Sequence, residues 1–219
     1  MSPAVWIWSH LTFVLLIASM LSLIVKCRSR LQSVLLCVLI PAVLGVLPIG
    51  QTDVSGFALA HMGTLSASML VLLAFQLFAN CGFVEAISAP VWRNMNVFWL
   101  VTGAALYPSA LGLFDHDVYT FGFRSEMSWC VLGVSCAVAL CNYRMLAFCL
   151  ALSVLAHQLQ FHESCNLWDY MIDPWLWIAA AVSLISGACR RLFASTPQNT
   201  GEGQGVSPPS VPQNLPTAT

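Results

Sequence analysis

Seven apolar stretches constrain this chain more than any other feature; they lie at residues 4–25, 31–49, 63–83, 97–114, 127–143, 145–161 and 174–189, with short polar connections between them. A bilayer core is crossed by about 17–25 helical residues at a rise of ~1.5 Å each, and the first four stretches meet that length. The fifth and sixth are short and joined only by Asn142, Tyr143 and Arg144, and the seventh is short unless its flanks contribute. A six-span alternative therefore stands beside the seven-span reading. Of the 219 residues, 58% are hydrophobic and 8% charged, whereas a soluble domain carries about 25% charged residues. The expected fold class is all-α, a polytopic transmembrane helix bundle of about seven spans over residues 1–193. From 194 to 219 Ser, Thr, Pro, Gln and Gly dominate. Such a segment buries too little apolar surface to offset its ordering entropy, and it reads as a disordered cytoplasmic tail.

The few charges set the orientation. With seven spans and the amino terminus outside, Lys26, Arg28, Arg30, Arg93, Arg144, Arg190 and Arg191 fall on inner connections, and of the basic residues only Arg124 falls outside. This is the positive-inside pattern. Asp53, Asp115, Asp117, Glu126, Glu163, Asp169 and Asp173 fall outside, against Glu85 and Glu202 inside. The start, MSPAVWIWSH, lacks the positive segment of a signal peptide, so the first stretch reads as a retained span. These features point to a bacterial inner (plasma) membrane. A net charge of −1 excludes the basic surface of a nucleic-acid binder.

Most of the nine cysteines sit in apolar runs, where they pack as small polarizable residues. No CxxC pair or zinc-finger spacing occurs; Cys130 and Cys165 are the one pair placed to meet near the outer surface. Ala179, Ser183 and Gly187, and likewise Gly133 and Ala137, form small-xxx-small stripes that permit close helix approach. Pro41, Pro48 and Pro108 are expected to kink or interrupt their helices.

All five histidines, His10, His61, His116, His157 and His162, map to the outer half. With the outer acids they form a nitrogen-and-oxygen set suited to a divalent metal or to general acid–base work. His10 and His157 lie within their spans, where ionisable groups face the bundle interior or a water-filled cavity; the competing reading is a neutral imidazole bonded to a neighbouring helix. His157 and His162 are about 140° apart on an ideal helix, so they act together only if the helix ends between them. Asp115-His116-Asp117 is an acidic triplet of the kind that holds Mg²⁺ or Ca²⁺, although Asp equally builds turns. Glu163 and Asp169 complete the candidate cluster. Asp173 before Pro174 has the pattern of a helix N-cap. Gln76 and Asn80 in the third span suit amide bonds across helices or a substrate path.

No P-loop, GxSxG, HExxH or dinucleotide fingerprint is present. The sequence thus reads as a multi-pass membrane protein, an accessory or partner subunit presenting an acidic, histidine-bearing outer face to another membrane or envelope protein. One alternative is a membrane-embedded, metal-dependent enzyme using His10, His157, Asp115, Asp117 and Glu163. Another is a small transporter opened by the proline breaks.

Overall fold

The computed structural model describes residues 3–25, 29–113, 115 and 117–194. The tail reading for 194–219 falls, beyond Ala194, outside the described residues, as do Lys26, Arg28 and His116. The fold is all-α apart from one short hairpin.

Helix α1 (Pro3–Ser22) packs against α2 (Arg30–Gly45). Ser29 opens α2 by accepting a hydrogen bond from the Gln32 N–H. The buried face of α2 is Ser33, Cys37, Pro41 and Gly45, one residue per turn. Gly45 matters there, because a Cβ would lie 3.1 Å from the Phe13 ring of α1. Strands β1 (Pro48–Ile49) and β2 (Thr52–Asp53) pair antiparallel around Gly50, whose φ of 62° suits glycine. Pro48 therefore starts a strand, and the second apolar stretch leaves the helix at Gly45.

Asp53 caps α3 (Val54–Met62), and Gly63, at φ 74°, ends it. Ser66 then caps α4 (Ala67–Asn80), so the third apolar stretch yields a shorter helix than its length suggests. Helix α5 (Ala89–Ala110) begins eight residues before the fourth stretch. Pro90 in its first turn carries the helix through the polar Arg93-Asn94-Met95-Asn96 segment that hydropathy discounts. Helices α6 (Val118–Phe121), α7 (Ser125–Leu140), α8 (Arg144–Gln158), α9 (Leu167–Met171) and α10 (Pro174–Ala194) follow among the described residues. The turn between α7 and α8 is made by Asn142 in the left-handed region, at φ 64°.

Seven longer helices (α1, α2, α4, α5, α7, α8 and α10) thus occupy the seven apolar stretches, with α3, α6 and α9 in the connections. Hydrogen bonds between their ends establish that they alternate in direction. At one end Ser66, before α4, meets Asp173, before α10, while Trp6 near the start of α1 meets Asp53 after α2. At the other, Asn80 closing α4 donates to Ser22 closing α1, and Asn94 near the start of α5 donates to Tyr143 before α8.

The interior combines apolar residues, centred on Trp99, Leu150, Leu167 and Tyr170, with buried hydroxyls: Ser9, Thr12, Ser68, Ser109, Ser135 and Ser153. Ser68 bonds Ser153 between α4 and α8 at 3.1 Å, and Ser135 Oγ donates to the Ala147 carbonyl between α7 and α8 at 2.8 Å. The exterior is largely apolar, including Leu35, Leu39, Val43, Val101, Trp129 and Ile185. Among the described residues only α1, over Val5–Ser22, is both long and apolar enough to cross a membrane; a core helix or a signal sequence has the same properties. The close-packing glycine is Gly103, not Gly133 or Gly187: an added Cβ would strike the Trp177 ring at Gly103 and meets nothing within 4 Å at the other two.

Candidate functional site

The end at which α1, α4 and α10 begin gathers nearly all the described candidate residues, and three local groups form there. We call it the cap end. In the first, Asp53 caps α3 and receives the Gly56 N–H at 2.7 Å, the Ser55 hydroxyl at 2.8 Å and the Trp6 indole N–H at 3.3 Å. His10 stands 3.0 Å from Ser55 Oγ through Nδ1 and stacks against Trp6. Partial burial pushes the Asp53 carboxyl up, but these hydrogen bonds and the nearby His10 outweigh it, leaving the group below its ordinary value. Asp, His and Ser meet here in the wrong order for nucleophilic catalysis. The Ser55 proton is given to Asp53, so His10 can only donate to Ser55, whose side chain is fully buried.

The second group joins two helix starts. One Asp173 oxygen accepts from the Leu176 N–H at 2.8 Å, capping α10 as its sequence position predicts. The other accepts from both the Ser66 N–H and the Ser66 hydroxyl, at 2.8 and 2.6 Å, and so holds the cap residue of α4. Trp8 and Trp175 donate their indole N–H groups to the carbonyls of Leu65 and Met62. The connection before α4 is thereby anchored from α1 and from α10.

The third group locks α6 onto α9. The Leu167 N–H donates to the Gly122 carbonyl, Asn166 Nδ2 to the Tyr119 carbonyl, and Trp168 Nε1 to the Val118 carbonyl, all at 3.0 Å. Gly122 has no room for a side chain, because a Cβ would run into Asn166 Oδ1 and Trp168. The Tyr119 hydroxyl donates to Asp169 at 3.0 Å; burial first, then the Asp169 charge, push this phenol up to about 12.

Behind this lock, helix α8 ends at Gln158 and Gln160 turns left-handed at φ 50°, the break that the pairing of His157 with His162 requires. Both rings meet the edge of fully buried Tyr170, with centroids 5.3 and 5.5 Å away. Three of their four nitrogens are nonetheless committed to structure. His162 Nδ1 accepts the Ser164 N–H at 3.1 Å, which leaves its proton on Nε2, beside the Thr64 hydroxyl. Burial lowers the His162 pKa against the opposing pull of Asp169 and Glu163. His157 Nε2 donates to the Cys165 carbonyl at 3.1 Å, and its Nδ1 is buried without a partner. The Tyr170 hydroxyl accepts from the His162 N–H and shares its proton between the His162 and Ser164 carbonyls; burial foremost raises its pKa.

The remaining candidates do not join these groups. His61 is exposed on α3 and contacts the Phe57 carbonyl in its own helix. Asp115 and Glu163 are exposed, and Asp117 caps α6 by accepting the Tyr119 N–H, as Asp in a turn does. Among the described residues no three His, Cys, Asp or Glu side chains come together as metal ligands. Asp53, Asp117, Asp169 and Asp173 are instead each drawn to a nearby backbone N–H or hydroxyl. Cys130 and Cys165 are both free thiols. Asn80 bonds across to α1, whereas Gln76 lines an open cleft of about 320 Å³ with Phe75 and Trp92.

The sequence does not single out Ser55, Ser66 or Asn166, and it offers Tyr119 and Tyr170 as a loop aromatic and part of an interfacial anchor rather than as site residues. Asn166 carried a local signal, an Asn two residues before Trp168 at the start of a helix, whose N–H it accepts at 3.0 Å. Ser66 and Tyr119 act through Asp173 and Asp169, far away in the chain, and Ser55 meets the distant His10, whereas Tyr170 bonds to His162 and Ser164 in the adjacent loop. Comparison with protein-family models, with curated proteins and with solved structures returned no match. The fold and the site define the class: an all-α bundle closed at one end by an interlocked polar cap.

Proposed function

We propose that this chain is a multi-pass integral membrane protein of about seven spans, amino terminus outside and carboxyl terminus cytoplasmic, serving as an accessory or partner subunit. The observation that carries the reading is the distribution of polarity around each helix. On α2 the outward residues Leu31, Leu35, Leu36, Leu39, Ile40 and Val43 are exposed while Ser33 and Cys37 are buried. Water-soluble proteins rarely expose such continuous apolar surface, and helices in lipid place small and hydroxyl-bearing residues between them. A lateral groove of about 470 Å³ between α1, α4 and α8, lined by Trp8, Leu70, Phe75 and Phe148 among other apolar side chains, fits the same environment. The bacterial inner membrane is the host this reading assigns, from the placement of the basic residues.

The accessory role is supported by how the cap uses its polar groups. His10, Asp53, His162, Asp169 and Asp173 spend their bonding capacity on holding loops together. What the cap offers outward is Asp115, Glu163, Phe123 and Trp129, a mixed acidic and aromatic surface suited to a protein partner.

Sidedness tests the reading directly. Single-cysteine variants retaining Cys165 at the cap end or Cys141 at the other, both exposed, are treated in intact cells with a membrane-impermeant maleimide. Cys165 is expected to label at once and Cys141 only after permeabilisation. Labelling of both from one side would sink the topology. A photo-crosslinker placed at Glu163 is expected to trap one envelope protein in high yield, and a cap that traps none refutes the partner role.

A further inference from the structure

Opposite the cap, α5 and α10 enclose a pocket of about 430 Å³ whose lining among the described residues includes Arg93, Arg190, Arg191, Trp92, Ser183 and Ser186 and no acidic side chain. We infer that it binds the phosphate headgroup of an anionic phospholipid. The inference rests on the membrane reading above.

Four observations support it. Three guanidinium-bearing residues line one cleft, and planar guanidinium forks match phosphate oxygens in pairs. The wall includes Ala89, in the first turn of the 22-residue helix α5, whose cap residue Ser88 makes no side-chain capping bond. Donors at that helix start, and the positive end of its dipole, favour an anion. Ser183 supplies a third element. Its oxygen already accepts Trp92 Nε1 at 3.2 Å and Asn96 Nδ2 at 2.9 Å, so its hydroxyl hydrogen is left to act as donor. Finally, the pocket wall also carries Trp92, Leu184 and Ala188, apolar surface against which the first carbons of acyl chains can lie. A free phosphate would use the polar half alone. The apolar part of the wall favours a lipid, and a basic pocket between helices at the cytoplasmic side is a recognised way to hold one.

The test uses the full chain purified in mild detergent, with binding of phosphatidylglycerol, phosphatidylcholine and inorganic phosphate followed by native mass spectrometry and titration. Phosphatidylglycerol is expected to bind in preference to phosphatidylcholine, and R93Q/R190Q to weaken it at least about tenfold. R124Q, remote from the pocket, serves as the control and should change nothing, while circular dichroism checks that each variant keeps its helices. R93K/R190K, which keeps charge but loses the fork, should recover part of the affinity. Equal binding of the two lipids, or an unaffected R93Q/R190Q variant, overturns the inference. Inorganic phosphate binding as tightly as the lipid, and lost in R93Q/R190Q, overturns the lipid assignment in favour of a soluble phosphate. Fractionation of cells expressing the same chain reports separately on the membrane reading: a chain found in membranes that ignores phosphatidylglycerol leaves that reading standing and removes this one.

Discussion

His162 shows how a side chain that looks like a ligand becomes a strut. Its Nδ1 can accept the Ser164 N–H only while unprotonated, and burial holds its pKa below the usual 6.5 although Asp169 and Glu163 pull upward. A histidine whose folded pKa is depressed contributes stability that is complete above 6.5. That contribution is lost as pH falls below 6.5 toward the folded value, because the unfolded chain takes up the proton first. Thermal stability in detergent should therefore drop between pH 7 and 5, with this residue contributing at most about 1.4 kcal/mol per pH unit. In H162Q that part of the slope should vanish, and identical slopes in the two proteins would show that another group is responsible. The sequence marked His162 as chemically interesting. It could not show Thr64, Ser164 and Tyr170 closing around it, because Thr64 is 98 residues away.

At the level of elements, the cap depends on short segments that secure one another. Helices of four and five residues, such as α6 and α9, are too short to be stable alone. They persist because α6 offers carbonyls that Asn166, Leu167 and Trp168 satisfy. Gly122 is the point of closest approach. Gly122→Ala should force Asn166 and Trp168 away and cost about 1–3 kcal/mol, the range for overpacking a filled site. The expected signature is faster amide hydrogen exchange confined to 118–123 and 162–171, with the helices behind unchanged. Unaltered exchange in those segments would mean that the lock is looser than the contacts indicate. Of these features, Asp173-Pro174 was legible in advance, since a cap and a first-turn proline are local signals. The second duty of Asp173, holding Ser66 across 107 residues, was not.

For the molecule as a whole, the apolar exterior is the dominant physical fact. If the bundle is embedded in lipid, alkaline carbonate washing of membranes should leave it in the pellet, and only detergent should release it. Recovery in the carbonate supernatant would contradict the embedding. The interior can be rich in serine because these hydroxyls find partners on adjacent helices, as Ser68 does with Ser153, and small side chains let helices approach.

Hydropathy located the seven longer helices among the described residues but not their lengths, since only α1 of them is long and apolar enough to cross a membrane. Local capping chemistry then fixed several of their starts. Tertiary structure decided the rest: that Gly103 rather than Gly133 is the close contact, that α5 begins within polar sequence, and that the described histidines and acids disperse instead of converging as metal ligands. A carboxylate or imidazole seeks its nearest donor or acceptor in space, and that neighbour is set by how helices stack, which spacing along the chain does not encode.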